Sequence, residues 1–147
     1  MMKIALSLNT FVTGILAGAL LISSLGFGPA AGAFEVSQQI LIRQQLIQRL
    51  SRIMTPFMLL PILTWSVVLV LRGSGSWIVH SVGLALSAST VATTVFVNVP
   101  LNWLFTSWSQ DNFPSDWQIH VRKWDRANSF RFIFALAAFV CALILGR

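Results

Sequence analysis

Four apolar runs, Ile4–Phe27, Pro56–Leu71, Trp77–Phe105 and Phe130–Gly146, take up more than half of this chain. A helix crossing the hydrocarbon core of a bilayer needs about 20 mostly apolar residues. In lipid only a helix or a closed barrel can satisfy its own backbone polar groups. Four runs of this kind make the chain read as an all-α membrane protein, a four-transmembrane-helix bundle. The second run is short, and the turns before it can lengthen it. The third exceeds what a bilayer requires, so it should tilt or kink, with Pro100 marking the place. The 147 residues allow a single membrane domain, 1–147.

Composition agrees. Hydrophobic residues make up 56% of the chain and charged residues only 10%, whereas a soluble domain carries about a quarter charged residues. The net charge of +6 suggests nucleic acid only until the cations are placed, because nearly all sit at the ends of apolar runs. There they report topology. With four spans, Arg43, Arg49, Arg52, Arg122, Lys123, Arg126 and Arg131 fall on one side, and Lys3, Arg72 and Arg147 on the other. That asymmetry predicts that the Ala30–Thr55 and Thr106–Ser129 connections are cytoplasmic and both termini extracytoplasmic. The expected partner is the lipid bilayer, with no nucleic acid; a homo-oligomer is open. Lys3, an apolar core and Ala31-Gly-Ala33 also resemble a secretory signal. Cleavage after Ala33 would put the Arg43–Arg52 cluster outside, against the charge rule, so a retained first helix is the expectation.

Glu35, Asp111, Asp116 and Asp125 are the only acids and are scattered, which argues against two-carboxylate chemistry. Cys141 stands alone in an apolar run and reads as a small hydrophobe. His80 and His120 should lie at opposite membrane faces, so no shared metal site is expected. No phosphate-binding glycine loop occurs. Arg72-Gly-Ser-Gly-Ser76 reads as a tight loop between the second and third spans.

The 36–54 connection reads as a cytoplasmic-side amphipathic helix, with Val36, Ile40, Ile42, Leu46, Ile47, Leu50, Ile53 and Met54 on one broad arc. Gln39 and Arg43 project into that arc. Either the helix lies in the interface with Arg43 snorkelling to headgroups, or Gln39 and Arg43 turn inward over the bundle.

Polar residues at membrane depth are costly and face the bundle interior. In the third span Ser87, Thr90, Thr94, Asn98 and Asn102 share a face at helical spacing. The hydroxyls can bond their own helix carbonyls. Asn98 and Asn102 flank Pro100, and their amides need more than backbone can offer. They either repair a kinked helix, join it to a neighbour, or line a cavity. Pro114-Ser115-Asp116-Trp117-Gln118 resembles a helix start with Ser115 as N-cap and Gln118 completing a capping box. From there Trp117, His120, Trp124, Asn128 and Arg131 repeat at three, four, four and three residues, one stripe on one face. Tryptophans suit the membrane interface and Arg131 could snorkel, but belt residues do not require His, Asn and Arg on the same stripe. Asp111, Asp116, Arg122, Lys123 and Arg126 should be solvated. A polar pocket near the cytoplasmic face, between the third and fourth spans, is the expected site.

Asn98-Val-Pro-Leu-Asn102 followed by Trp124-x-x-x-Asn128-x-x-Arg131 resembles the DUF1772 or anthrone oxygenase-like integral membrane protein family, and Gly14-Ile-Leu-Ala-Gly18 with Gly28-Pro29 is similar to that family's first helix. The resemblance covers most of the chain. It implies oxidation of anthrones to anthraquinones by molecular oxygen as co-substrate, without metal or flavin cofactor. Asn98, Asn102, Trp124, Asn128 and Arg131 are the matched positions; relatives often carry His where this chain has Ser129. An anthrone is a flat, hydrophobic aromatic molecule with an acidic C–H beside a ketone. His120 is then the candidate base, and Arg131, Asn98, Asn102 and Asn128 the oxyanion stabilisers. Trp117 and Trp124 would stack on the rings, with Gln39, Arg43 and Thr94 as further substrate-binding candidates. The alternative is a non-catalytic membrane protein that binds a lipid or hydrophobic ligand, or assembles with a partner.

Overall fold

The computed structural model describes residues 1–71, 77–109 and 112–146. The anticipated loop at Arg72–Ser76, the solvated Asp111 and the terminal cation Arg147 lie outside the described residues. Four continuous helical stretches are long and apolar enough to cross a membrane: Met2–Ala31, Val36–Leu71, Trp77–Ser107 and Trp117–Leu145. The chain is a multi-pass integral membrane protein. Large apolar side chains such as Phe11, Val70, Phe96 and Ile133 point outward, as lipid-facing residues do.

The first stretch is α1 (Met2–Leu21), a π-helical segment π1 (Ile22–Phe27) and the short α2 (Gly28–Ala31). The second is one helix, α3 (Val36–Leu71). The third is α4 (Trp77–Thr93), a second π segment π2 (Thr94–Asn98) and α5 (Val99–Ser107). The last is α6 (Trp117–Leu145). Helix α6 runs through the bundle against α1 and α4, and α3 packs on α1, α4 and α5.

Three local expectations change. The 36–54 amphipathic segment and the second span form one helix that passes through Pro56 and Pro61. Each proline removes only one helical hydrogen bond, and α3 is held on both sides of them. Gln44 Nε2 donates to the Phe105 and Trp108 carbonyls at 2.8 and 2.9 Å, and Thr64 donates to Asn9 Oδ1 at 2.8 Å. Secondly, Ser115 is not the cap of α6. Asp116 occupies that position and no side chain bonds the free backbone N–H groups. Thirdly, the irregularity near Pro100 is the π segment just before it. Pro100 has no N–H to offer the carbonyl four residues back, and the wider π turn takes up the mismatch.

Two apolar clusters fix the bundle. One joins Ile40, Leu101, Phe105, Trp108, Val121 and Trp124. The other joins Leu16, Ala17, Leu20, Met58 and Ala135. Beyond the second, small residues let helices approach closely. Gly83 of α4 lies under the fully buried Trp65 of α3, where a Cβ would fall inside the indole. Overpacking of this kind costs about 1–3 kcal/mol. Gly83→Ala should therefore lower the melting temperature of the detergent-solubilised protein by several degrees. Gly18→Ala, whose Cβ would meet nothing within 4 Å, should leave it unchanged or slightly raised, as helix propensity dictates.

Candidate functional site

Between the two apolar clusters the helices part around a cavity of about 410 Å3. Both π segments border it: Ile22, Ser23 and Phe27 come from π1, and Thr94 and Asn98 from π2. Single-turn π bulges are common at functional sites, because the extra residue widens the helix and re-aims its side chains. Leu46, Ile47, Leu50, Ser51, Met54, Thr55 and Met58 of α3 form the opposite wall. Leu20 and Met58 belong to one cluster, Trp124 to the other, so the cavity lies where the two cores meet.

The polar side of the cavity carries one connected network and, beside it, one separate pair. Asn98 Nδ2 donates to Asn128 Oδ1 at 3.0 Å, and Arg131 Nη1 donates to the same oxygen at 3.0 Å. Arg131 Nη2 reaches Met58 Sδ at 3.5 Å. Beside them Trp124 Nε1 donates to Asn102 Oδ1 at 2.9 Å. The two stripes, Asn98 and Asn102 on one helix, Trp124, Asn128 and Arg131 on the next, do face each other. Asn98 and Asn128 are 1% exposed and Arg131 8%, so Arg131 does not snorkel. No carboxylate pairs with it among the described residues. Asn98 Oδ1, Asn128 Nδ2 and Arg131 Nε are buried with no protein partner. Buried polar atoms are nearly always bonded, so three such atoms in one network are unusual.

Thr94 also lines the cavity, bonding its own helix at the Thr90 carbonyl and approaching Met58 Sδ at 3.6 Å. Ser87 and Thr90 bond the carbonyls one turn back, as their chemistry suggested. Four other candidates are not part of the cavity wall. His120 lies outside it, with Nε2 3.5 Å from Asp116 Oδ2 and its ring edge-on to Trp108 at 6.0 Å. Trp117 packs against Phe113 at 6.2 Å. Gln39 Nε2 donates to the Phe34 carbonyl at 2.8 Å. Arg43 lies behind Trp124.

Of the two alternatives for Arg43, the structure shows the inward one. Arg43 is 2% exposed and its Nη1 and Nη2 reach the Asp125 carboxylate at 3.2 and 3.5 Å. Its guanidinium stacks 5.2 Å from the Trp124 ring centroid and 5.4 Å from that of Phe27, which meet edge to face at 6.1 Å. Delocalised and weakly hydrated, guanidinium is the cation best suited to such a site. The result fixes Trp124 from behind while its indole N–H is fixed by Asn102. Asp125 and Phe27 escaped the sequence reading. A signal for Asp125 existed: an arginine on an apolar arc needs an acid, and Asp125 lies one turn before Asn128. Met58, Ser23, Ser51 and Thr55 had no such signal, since only the fold brings them to the cavity. Among the described residues no three His, Cys, Asp or Glu side chains gather as a metal set.

Breaking a buried ion pair from one side strands the other charge, at a cost of about 3–5 kcal/mol when both are fully buried. The Asp125 side chain is 36% exposed, so Asp125→Asn should cost less than that range. The double change Arg43→Met with Asp125→Leu should recover part of the loss. Urea or thermal unfolding of the three variants checks both signs.

The residues that meet at this cavity are also those that place the chain among known proteins. The anthrone oxygenase family model matches residues 44–141, two thirds of the chain, and that stretch carries Met58, Asn98, Asn102, Trp124, Asn128 and Arg131. No curated protein and no solved structure matches. By its sequence over both halves of the polar network, the chain belongs to the anthrone oxygenase family.

Proposed function

We propose that the cavity is the active site of a cofactor-independent oxygenase that converts an anthrone-like aromatic ketone to the corresponding quinone with molecular oxygen. The observation that carries this reading is Arg131: a buried guanidinium on a cavity wall, with no carboxylate partner among the described residues and with unbonded amide atoms beside it. Such a group suits an oxygen that becomes negative during the reaction. The cavity volume lies within the range of about 300–1,000 Å3 usual for small-molecule sites. Its apolar wall and the Trp124 ring suit a flat polycycle.

The chemistry derives from the substrate. Loss of the C–H proton opposite the ketone gives an enolate, whose oxygen Arg131 and Asn128 Nδ2 would hold. Preorganised donors in a low-dielectric site stabilise such charge far better than water does. The enolate passes one electron to oxygen, giving superoxide and a carbon radical, which join in a C–O bond. The peroxide takes up a proton and loses water across its C–H and O–O bonds. One oxygen atom ends in the quinone and the other in water, and the electrons come from the substrate itself. The lining residues include no histidine or carboxylate. The cavity therefore acts on the acidity of the substrate, and water held at its polar end would carry the proton away.

Oxygen uptake by purified protein with anthrone tests the reading, and separates it from a non-catalytic carrier of hydrophobic ligands, which would bind anthrone without consuming oxygen. Arg131→Ala should lower kcat by about 100- to 1,000-fold, the usual effect of deleting an oxyanion donor. Asn98→Ala, which removes the amide that orients Asn128, should lower it by about tenfold, equivalent to one net hydrogen bond. His120→Ala should retain wild-type uptake; a loss there together with normal turnover by Arg131→Ala would overturn the assignment.

A further inference from the structure

We infer that the cavity is loaded sideways from the lipid leaflet, through a gap between π1 and α3, so that its ligand is a bilayer-dissolved aromatic amphiphile rather than a solute arriving from water. This rests on the reading of the cavity as a substrate site. The wall that α3 contributes is not sealed against the helix beside it. Helix α3 packs on α1 and α4 beyond Met58 and on α5 near Gln44, but makes no more than marginal contact with π1 or π2 between those anchors. The cavity occupies that interval.

The phase of α3 shows which seam opens. At 100° per residue, Leu46 and Leu50 project on the same side as Thr64, which bonds Asn9 of α1, whereas Ser51 and Thr55 project on the same side as Gln44, which bonds α5. On the α1 side both rims of the cavity are apolar and exposed: Ile22 is 71% exposed and Leu50 45%. A water-facing mouth would not be framed in this way. The opposite, inner end of the same cavity holds Asn98, Asn128 and Arg131. A molecule entering from lipid would therefore lead with its polar edge and keep its apolar body in the seam. Arg49 and Arg52, one residue before Leu50 and two after it, are outward and exposed, which places the gap near the headgroup boundary where aromatic amphiphiles collect.

The test uses the full chain in nanodiscs with 9,10-anthraquinone as a non-reacting probe, followed by quenching of tryptophan fluorescence. Binding should depend on the mole fraction of probe in lipid: added lipid at fixed total probe should weaken apparent affinity in proportion. Ile22→Phe with Leu50→Phe should slow association and dissociation together, by about tenfold, while affinity as a mole fraction moves far less, because a narrowed passage changes both rates alike. Leu63→Phe, on a lipid-exposed face of α3 turned away from Leu46 and Leu50 and outside the cavity wall, should change neither rate. Rates that follow the aqueous probe concentration, or a double variant that loads at the wild-type rate, would overturn the lateral route. Should the double variant fail to fold, the single changes Ile22→Phe and Leu50→Phe, read by the same two rates, decide. The two readings fail separately. Anthraquinone that loads as described while anthrone draws no oxygen leaves the route standing and removes the reaction; anthrone turnover with water-dependent loading does the reverse.

Discussion

A guanidinium buried against two aromatic rings holds the site together. Arg43 of α3 lies against both Phe27 of π1 and Trp124 of α6, with its charge met by Asp125. An arginine taken out of water is tolerated only when its donors and its charge are both answered. Here Asp125 answers the charge and the two terminal nitrogens, leaving Nε without a hydrogen-bond partner. The contacts come from two other helical stretches, so the charge ties three of the four stretches at one level. Trp124 is thereby clamped as a divider, with the cation behind it and the cavity in front. Asn102 completes the clamp through the indole N–H. The arrangement makes rigidity from polar contacts at a depth where apolar packing between helices gains little from lipid exclusion.

The second arginine is treated in the opposite way. Arg131 is buried to a similar degree but carries amide and thioether contacts in place of an acid. Two cations of the same type in one small bundle thus have contrasting roles. Arg43 is neutralised and structural, whereas Arg131 keeps its charge uncompensated beside an open volume. The amides around it cannot all be satisfied by one another: Asn128 Oδ1 accepts twice while its own Nδ2 and Asn98 Oδ1 have no partner. Donor and acceptor capacity is therefore left over in the network that borders the cavity.

Much of this is legible in the residues. The length and purity of the apolar runs require helices, and the cost of amides and cations in lipid requires the Asn98–Asn102 and Trp124–Arg131 stripes to meet something inside. They meet each other. Helical spacing is less informative where two outcomes share one pattern. Arg43 on an apolar arc is the same sequence whether it snorkels or turns inward, and only Asp125, supplied by α6, decides between them. His120 shares the stripe of Trp124 and Asn128, yet lies one turn nearer the start of α6 and settles against Asp116 and Trp108. Pro56 reads as a boundary, because local rules disfavour proline within a helix; tertiary anchoring on either side carries α3 through it. The cavity wall from α3 and π1 is not legible at all, since no local pattern states which two helices will stand apart.

The paired π segments have a consequence for how such a site can be gained or lost. A π turn holds one residue more than the α turn it replaces, and each residue of a regular helix rotates the remainder of that helix by about 100°. Thr94–Asn98 and Ile22–Phe27 are thus places where the chain carries a surplus residue without breaking its span. Deleting a single residue from Thr94–Asn98 would restore a regular helix still long enough for the bilayer, with the flanking segments keeping their facing, while the turn itself narrows and its own side chains are re-aimed. The unit of variation at this cavity is therefore the insertion or deletion of one residue: a change that composition and hydropathy would scarcely register can separate a bundle with a chamber from one that is closed.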